Sequence, residues 1–279
     1  MQKLALKAGG EDLKDWKKLA GKIKNLKKTV KIGIVGKYFD SGDFVLTDSY
    51  ISVIESIKHA AYYLKLKPQI EWLEAESCER SKKELIKLKK LDGIIIPGGF
   101  GSRGIGGKIN AIEFCRLNSI PYFGLCYGMQ LACVEYARHV AGLNGAHTTE
   151  IDKKPNHPVI DIMPEQKALM KENHFGGSMR LGAYACRLVK GTKAYSAYSK
   201  PVISERHRHR YEFNNEYREI LTAKGLIISG VNPERDLVEI IELKNHPFFL
   251  GVQFHPEFKS RPLNPHPLFV EFIRACGKK

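Results

Sequence analysis

Short runs of β-branched and aliphatic residues alternate along this chain with segments whose apolar positions recur every three or four residues. VKIGIVG (30–36) is an apolar run closed by glycine, and KPQIEWLEA (67–75), LDGIIIPGG (91–99) and PYFGLC (121–126) follow the same plan, each predicting a strand. Between them, helical spacing over 48–64, with Asp48 placed to cap it, and over 82–90 and 110–117 predicts helices; another follows over 128–140. Ahead of the first strand, Leu13, Trp16, Leu19, Ile23 and Leu26 make the apolar face of an amphipathic helix. A strand that is apolar throughout needs cover on both faces. The alternation therefore predicts an α/β fold, a mostly parallel central sheet with helices on both faces.

From about residue 141 to 200 the alternation fades into polar, glycine-containing stretches, which predict short antiparallel strands and long loops. Strands return at 225–231, 237–243 and 247–258, and 267–276 predicts a closing helix. No repeat or low-complexity tract interrupts the chain, so one domain with an embellished second half is the simplest organisation. In parallel sheets ligands collect at the carboxyl ends of the strands, where the glycine-rich turns 98–107 and 124–128 fall.

Composition narrows the classes. The 279 residues are 43% hydrophobic and 27% charged, as in ordinary soluble domains. No apolar run approaches the ~18–20 residues of a membrane span, and the first residues lack a secretory pattern. Six cysteines without a CxxC pair point to a reducing compartment, and so to the cytoplasm. The net charge of +15 invites a nucleic-acid partner, but residues 1–28 hold nine lysines against three acidic residues. Much of the excess thus lies on the leading helix, as a solvated face or a surface that docks on another domain. Neither nucleic acid nor membrane is the expected partner.

Two nucleotide-binding signals fail on context. GFGSRG (99–104) matches GxGxxG but follows the third predicted strand, with no acidic residue placed for a ribose; GIVGKY (33–38) lacks the phosphate-loop spacing. No histidine–cysteine pair has zinc-site spacing, so no metal site is expected. FGLCYGMQ (123–130) is different. Cys126 stands where a strand meets a helix, between Gly124 and Gly128, as a nucleophile on a strained turn requires. The helix that follows would present its positive end to the sulfur. The amide of Tyr127, and that of Gly99 in the neighbouring strand-end loop, are placed to hold an oxyanion. A base and its orienting acid are available in GVQFHPEF (251–258), where His255 and Glu257 would share a strand face. The alternatives are a buried core thiol and a histidine at a strand end.

FGLCYGMQ together with GVQFHPE resembles the class I glutamine amidotransferases, of flavodoxin-like architecture. Within them, IPGGFGSRGIGGK (96–108), YARHVAGLNGAHTTE (136–150), GGSMRLG (176–182) and ERHRHRYEFNNEY (205–217) are similar to the glutaminase domain of the CTP synthases. Leucine is usual after that family's nucleophile, where this chain has Tyr127. The GMP synthetase amidotransferases, which often carry tyrosine there, are the alternative, as is a catalytically silent module of the same fold. The resemblance implies hydrolysis of L-glutamine through a thioester on Cys126, with His255 and Glu257 completing a triad. It assigns glutamine contacts to Gly99, Tyr127, Gln130, Glu150 and Arg210, the last in the basic run 206–210 read as a loop or lid. It further implies a linker helix over 1–28 from an ATP- and Mg-dependent synthase domain, an amidotransferase domain over 29–279, GTP as allosteric activator, and a homotetramer at full length. Alone, this segment would not make CTP.

Overall fold

A computed structural model describes residues 12–37, 50–162 and 179–278. In chain order its helices and strands begin with α1 (Lys14–Lys24), β1 (Thr29–Gly36), α2 (Ile51–Tyr63), β2 (Lys67–Glu74), α3 (Ala75–Arg80), α4 (Lys82–Lys87), β3 (Gly93–Ile96) and α5 (Ile105–Leu117). Then come β4 (Tyr122–Leu125), α6 (Tyr127–His139), β5 (Ala146–Thr148), β6 (His157–Ile162), β7 (Arg180–Leu188), α7 (Lys193–Tyr198), β8 (Val202–His209) and β9 (Tyr211–Phe213). The chain closes with α8 (Arg218–Ala223), β10 (Ile227–Val231), β11 (Val238–Glu242), β12 (Phe249–Val252) and α9 (Pro267–Cys276).

Nine strands form one sheet in the order β2-β1-β3-β4-β12-β11-β10-β7-β8. The first five are mutually parallel; β11, β10, β7 and β8 continue as an antiparallel wing. A small second sheet, β5-β6-β9, stands apart, with β5 parallel to β6 rather than antiparallel. Successive residues of the central strands serve opposite cores, as the strand period requires. Ile94 and Ile96 join the core under α5 and α6, while Ile95 joins the one under α2 and α9. Phe123 packs edge-on against Phe269 and Phe248, with ring centroids 5.2 and 5.8 Å away. Each such buried aromatic stabilises the fold by about 1.5–3 kcal/mol. No helix among the described residues is long and apolar enough to cross a membrane.

Three expectations change. The helix predicted over 110–117 begins at Ile105, because Gly106 and Gly107 serve packing rather than breaking the helix: a Cβ on Gly107 would stand 1.7 Å from the Ala75 carbonyl oxygen. The run 206–210 belongs mostly to strand β8, where Arg206 and Arg208 face outward and His207 and His209 are buried. The strand predicted over 247–258 stops at Val252, and a 3-10 turn, Pro256–Phe258, follows. The proposed cap Asp48 lies outside the described residues.

Candidate active site

Strand β4 runs straight into α6, and the single residue between them, Cys126, takes φ +48° and ψ −97°. A side chain in that region costs about 1–3 kcal/mol, which the surroundings must impose. They do so by close approach. The Cys126 N–H donates to Val252 O at 2.7 Å on β12. A Cβ on Gly128 would lie 2.2 Å from the Ile96 carbonyl oxygen, and one on Gly124 would lie 2.8 Å from the Gly128 backbone. The glycines thus let three backbones meet under the turn, and the sulfur stands at the N-terminus of a 13-residue helix.

His255 leaves β12 just past its end and is anchored by its own N–H to Arg206 O at 2.7 Å. Its Nδ1 lies 2.7 Å from Glu257 Oε1, and both side chains are buried. Phe258 stacks on the imidazole at 5.2 Å, and Gly98 leaves room for it: a Cβ there would sit 2.8 Å from His255 Cε1. Burial works against a charged ring, but the Cys126 sulfur and the Glu257 carboxylate outweigh it and hold the His255 pKa well above the ordinary histidine value. The ring is thereby held as an imidazolium beside the sulfur.

Cys126 and His255 open on a cavity of about 580 Å³, which Gly98, Gly99 and Phe100 border on one side. Gln130, Glu150 and Arg210 also line it, so most of the residues singled out from sequence share one space. Gln130 directs its amide to Tyr211 O at 2.9 Å and to Gln253 Oε1 at 3.2 Å. Glu150 Oε1 accepts the Gly101 N–H at 3.0 Å. Glu257 and Tyr127 are the exceptions: the first reaches the site through His255, and the Tyr127 side chain lies beneath the glycine-rich loop, 1% exposed, with its hydroxyl 3.1 Å from Gly101 O.

Sequence reasoning missed Gln253, whose amide nitrogen donates to Cys126 Sγ at 3.7 Å. Its signal was its place at the carboxyl end of an apolar strand, two residues before the histidine. It also missed the buried group behind the cavity. Arg180 donates to Glu212 Oε1 at 3.2 Å and to Glu239 Oε1 at 2.8 Å, and His207 Nδ1 meets His209 Nε2 at 2.9 Å. Burial pushes Glu212 up to about 8 despite the nearby guanidinium, and lowers His207 to about 2. Both histidines are therefore neutral spacers, not cations. Among the described residues Glu113, Glu135 and His139 have metal-ligating proximity, but they do not line the cavity, and Arg116 holds Glu135 at 2.6 Å.

A strained cysteine at a strand–helix turn, a histidine–carboxylate pair and a glycine-rich loop around one cavity are the parts that acyl-transfer chemistry uses. The model of the class-I glutamine amidotransferases matches residues 45–275. This chain belongs to that family. It is 55% identical over 276 residues to the CTP synthase of Caldanaerobacter subterraneus subsp. tengcongensis, covering 99% of this chain and 50% of that protein. The chain thus spans about half the length of the curated relatives it matches. The structure of the glutaminase domain of Trypanosoma brucei CTPS with bound acivicin superposes with a TM-score of 0.82 at 39% identity, over 90% of this chain and 95% of that one. A putative GMP synthase component from Thermoplasma acidophilum superposes at 0.54 with 14% identity, over 90% and 95% of the two chains, a likeness of fold alone. The chain is thereby similar to the glutaminase halves of CTP synthases in both sequence and fold.

Proposed function

We propose that this domain hydrolyses L-glutamine to glutamate and ammonia, with Cys126 as nucleophile, His255 as acid and base, and Glu257 as its orienting carboxylate. The supporting observation is the buried His255–Glu257 pair, whose imidazole lines the same cavity as the strained Cys126. The thiolate attacks the side-chain amide carbon, and the oxyanion receives hydrogen bonds from the Gly99 and Tyr127 amides, each worth about 3–4 kcal/mol in such sites. The imidazolium gives its proton to the departing ammonia as the C–N bond breaks, leaving a thioester. Neutral His255 then takes a proton from water, whose oxygen attacks the thioester carbon, and the sulfur leaves to yield glutamate. Glu150 would take the α-ammonium and Arg210 the α-carboxylate, which a guanidinium fork can bind through two oxygens. Gln130 would line the side-chain end.

In a protein of the relatives' length, the ammonia would serve the ATP- and Mg-dependent amination of UTP to CTP. GTP as activator, a tetrameric assembly, a cytoplasmic setting and residues 1–28 as the linker to a synthase half belong to the same proposal. Whole-chain identity to CTP synthases, against 14% to the GMP synthase component, favours it over the GMP-type alternative. A thiol-alkylating glutamine analogue followed by mass spectrometry tests the catalytic reading. Labelling at Cys126 that is lost in Cys126→Ser supports it, and unlabelled protein would mark a catalytically silent module.

A further inference from the structure

The loop joining β3 to α5 carries Gly98, Gly99, Gly101 and Gly104, and the last two have φ of +76° and +66°. Such a loop loses more conformational freedom on ordering than any other; its one large apolar side chain, Phe100, is 75% exposed and contributes little anchoring, and Arg103 ties only its far end, to Glu76. Yet a backbone donor for an oxyanion must be held to within about 0.5 Å. Polar contacts to main-chain atoms supply the restraint. Lys37, 4% exposed just beyond the end of β1, donates from Nζ to Phe100 O at 2.8 Å and to Gly101 O at 3.0 Å. The Tyr127 hydroxyl donates to the same Gly101 oxygen at 3.1 Å, and Glu150 receives the Gly101 N–H. The Tyr127 ring is itself flanked by two lysines, with Lys108 Nζ, whose pKa burial lowers to about 7, 5.3 Å and Lys37 Nζ 6.0 Å from its centroid. Both lie within the range of a cation–π attraction.

We infer that the Tyr127 side chain and the Lys37 ammonium are a positioning clamp for the Gly99–Gly101 backbone, so that one residue joins the two halves of the oxyanion site. The Tyr127 amide supplies one donor; its hydroxyl fixes the loop that carries the other. Burial keeps the phenol protonated far above neutral pH, so it remains a donor under working conditions. The loop then has a defined place before glutamine enters. Its link to Glu150 means that an ammonium on that carboxylate acts on the same peptide group. The inference rests on the reading of Gly99 as an oxyanion donor.

The test compares Tyr127→Phe, which deletes one oxygen and keeps the ring, with Lys37→Met, in the whole chain. Loss of one neutral hydrogen bond to the loop in Tyr127→Phe should lower kcat for glutamine about three- to ten-fold, and loss of two from the Lys37 ammonium in Lys37→Met at least as much, while KM moves less than about two-fold. Amide hydrogen exchange across 99–104 should accelerate in both variants, and melting temperature and iodoacetamide alkylation of Cys126, which needs no oxyanion site, should hold. Exchange and kcat at the wild-type level in both variants would overturn the clamp. A matched loss of kcat and melting temperature in both would also overturn it, in favour of a purely structural tyrosine. Exchange is read without turnover: a faster loop in a protein that hydrolyses no glutamine would sink the proposed function and leave the clamp standing.

Discussion

His255 and Glu257, two positions apart, meet through a 2.7 Å hydrogen bond because a 3-10 turn folds the carboxylate back under the ring. The contact fixes which nitrogen carries the proton on the Glu257 side and leaves Nε2 to act on the sulfur and the substrate. Glu257→Gln keeps the shape and removes the charge. The expected result is a fall in kcat of about 10²-fold with KM for glutamine nearly unchanged, read by steady-state glutaminase kinetics.

The raised pKa of His255 has a signature in the thiol. An imidazolium that persists through neutral pH keeps a positive charge beside the sulfur, which favours attack by it. In His255→Asn the rate of Cys126 alkylation by iodoacetamide at about pH 7 should fall. An unchanged rate would mean that the ring does not activate the sulfur.

Two glycines separate catalysis from folding. Gly98→Ala presses a methyl toward His255 Cε1 and should cut kcat while the urea midpoint stays close to wild type. Gly128→Ala presses a methyl on the Ile96 carbonyl inside the core and should lower stability by about 1–3 kcal/mol.

Removing the Arg180 side chain leaves Glu212 and Glu239 without the guanidinium they share. Arg180→Met should cost about 3–5 kcal/mol in denaturant unfolding, far more than an exposed arginine would. Its partner predicts a pH effect. Glu212 titrates higher in the folded state than in the unfolded chain, so the folded state binds the extra proton, and this contribution to stability fades as pH rises from about 4.5 to about 8. Glu212→Gln should flatten the fall of melting temperature with pH across that window.

The parts of the fold and site legible in the sequence are those whose signal is local. The β4–Cys126–α6 turn combines an apolar strand, small neighbours and helical spacing within ten residues, and the structure forms it there. Strand alternation predicts the pairing of His255 with Glu257, and a turn achieves it instead. What stays hidden depends on partners distant in sequence. RHRHR reads as a basic surface run, but strand alternation turns its histidines inward against Arg180, Glu212 and Glu239, which other strands supply. Gly106 and Gly107 read as a helix boundary because nothing near them announces that the Ala75 carbonyl will lie against that face. Tyr127 reads only as a departure from the family's leucine, because its hydroxyl partner belongs to another loop.

The proposed nucleophile and base follow β4 and β12, strands that lie side by side although Cys126 and Gln253 are 127 positions apart. During synthesis β4 emerges long before its neighbour, and the cysteine turn has neither its Val252 acceptor nor a histidine until β12 inserts between the parallel block and the antiparallel wing. That closure is a long-range pairing, which topology makes slow. An emerging chain thus carries a dormant thiol. The proposed capacity to release ammonia must therefore wait for β12, whose insertion makes the sheet continuous.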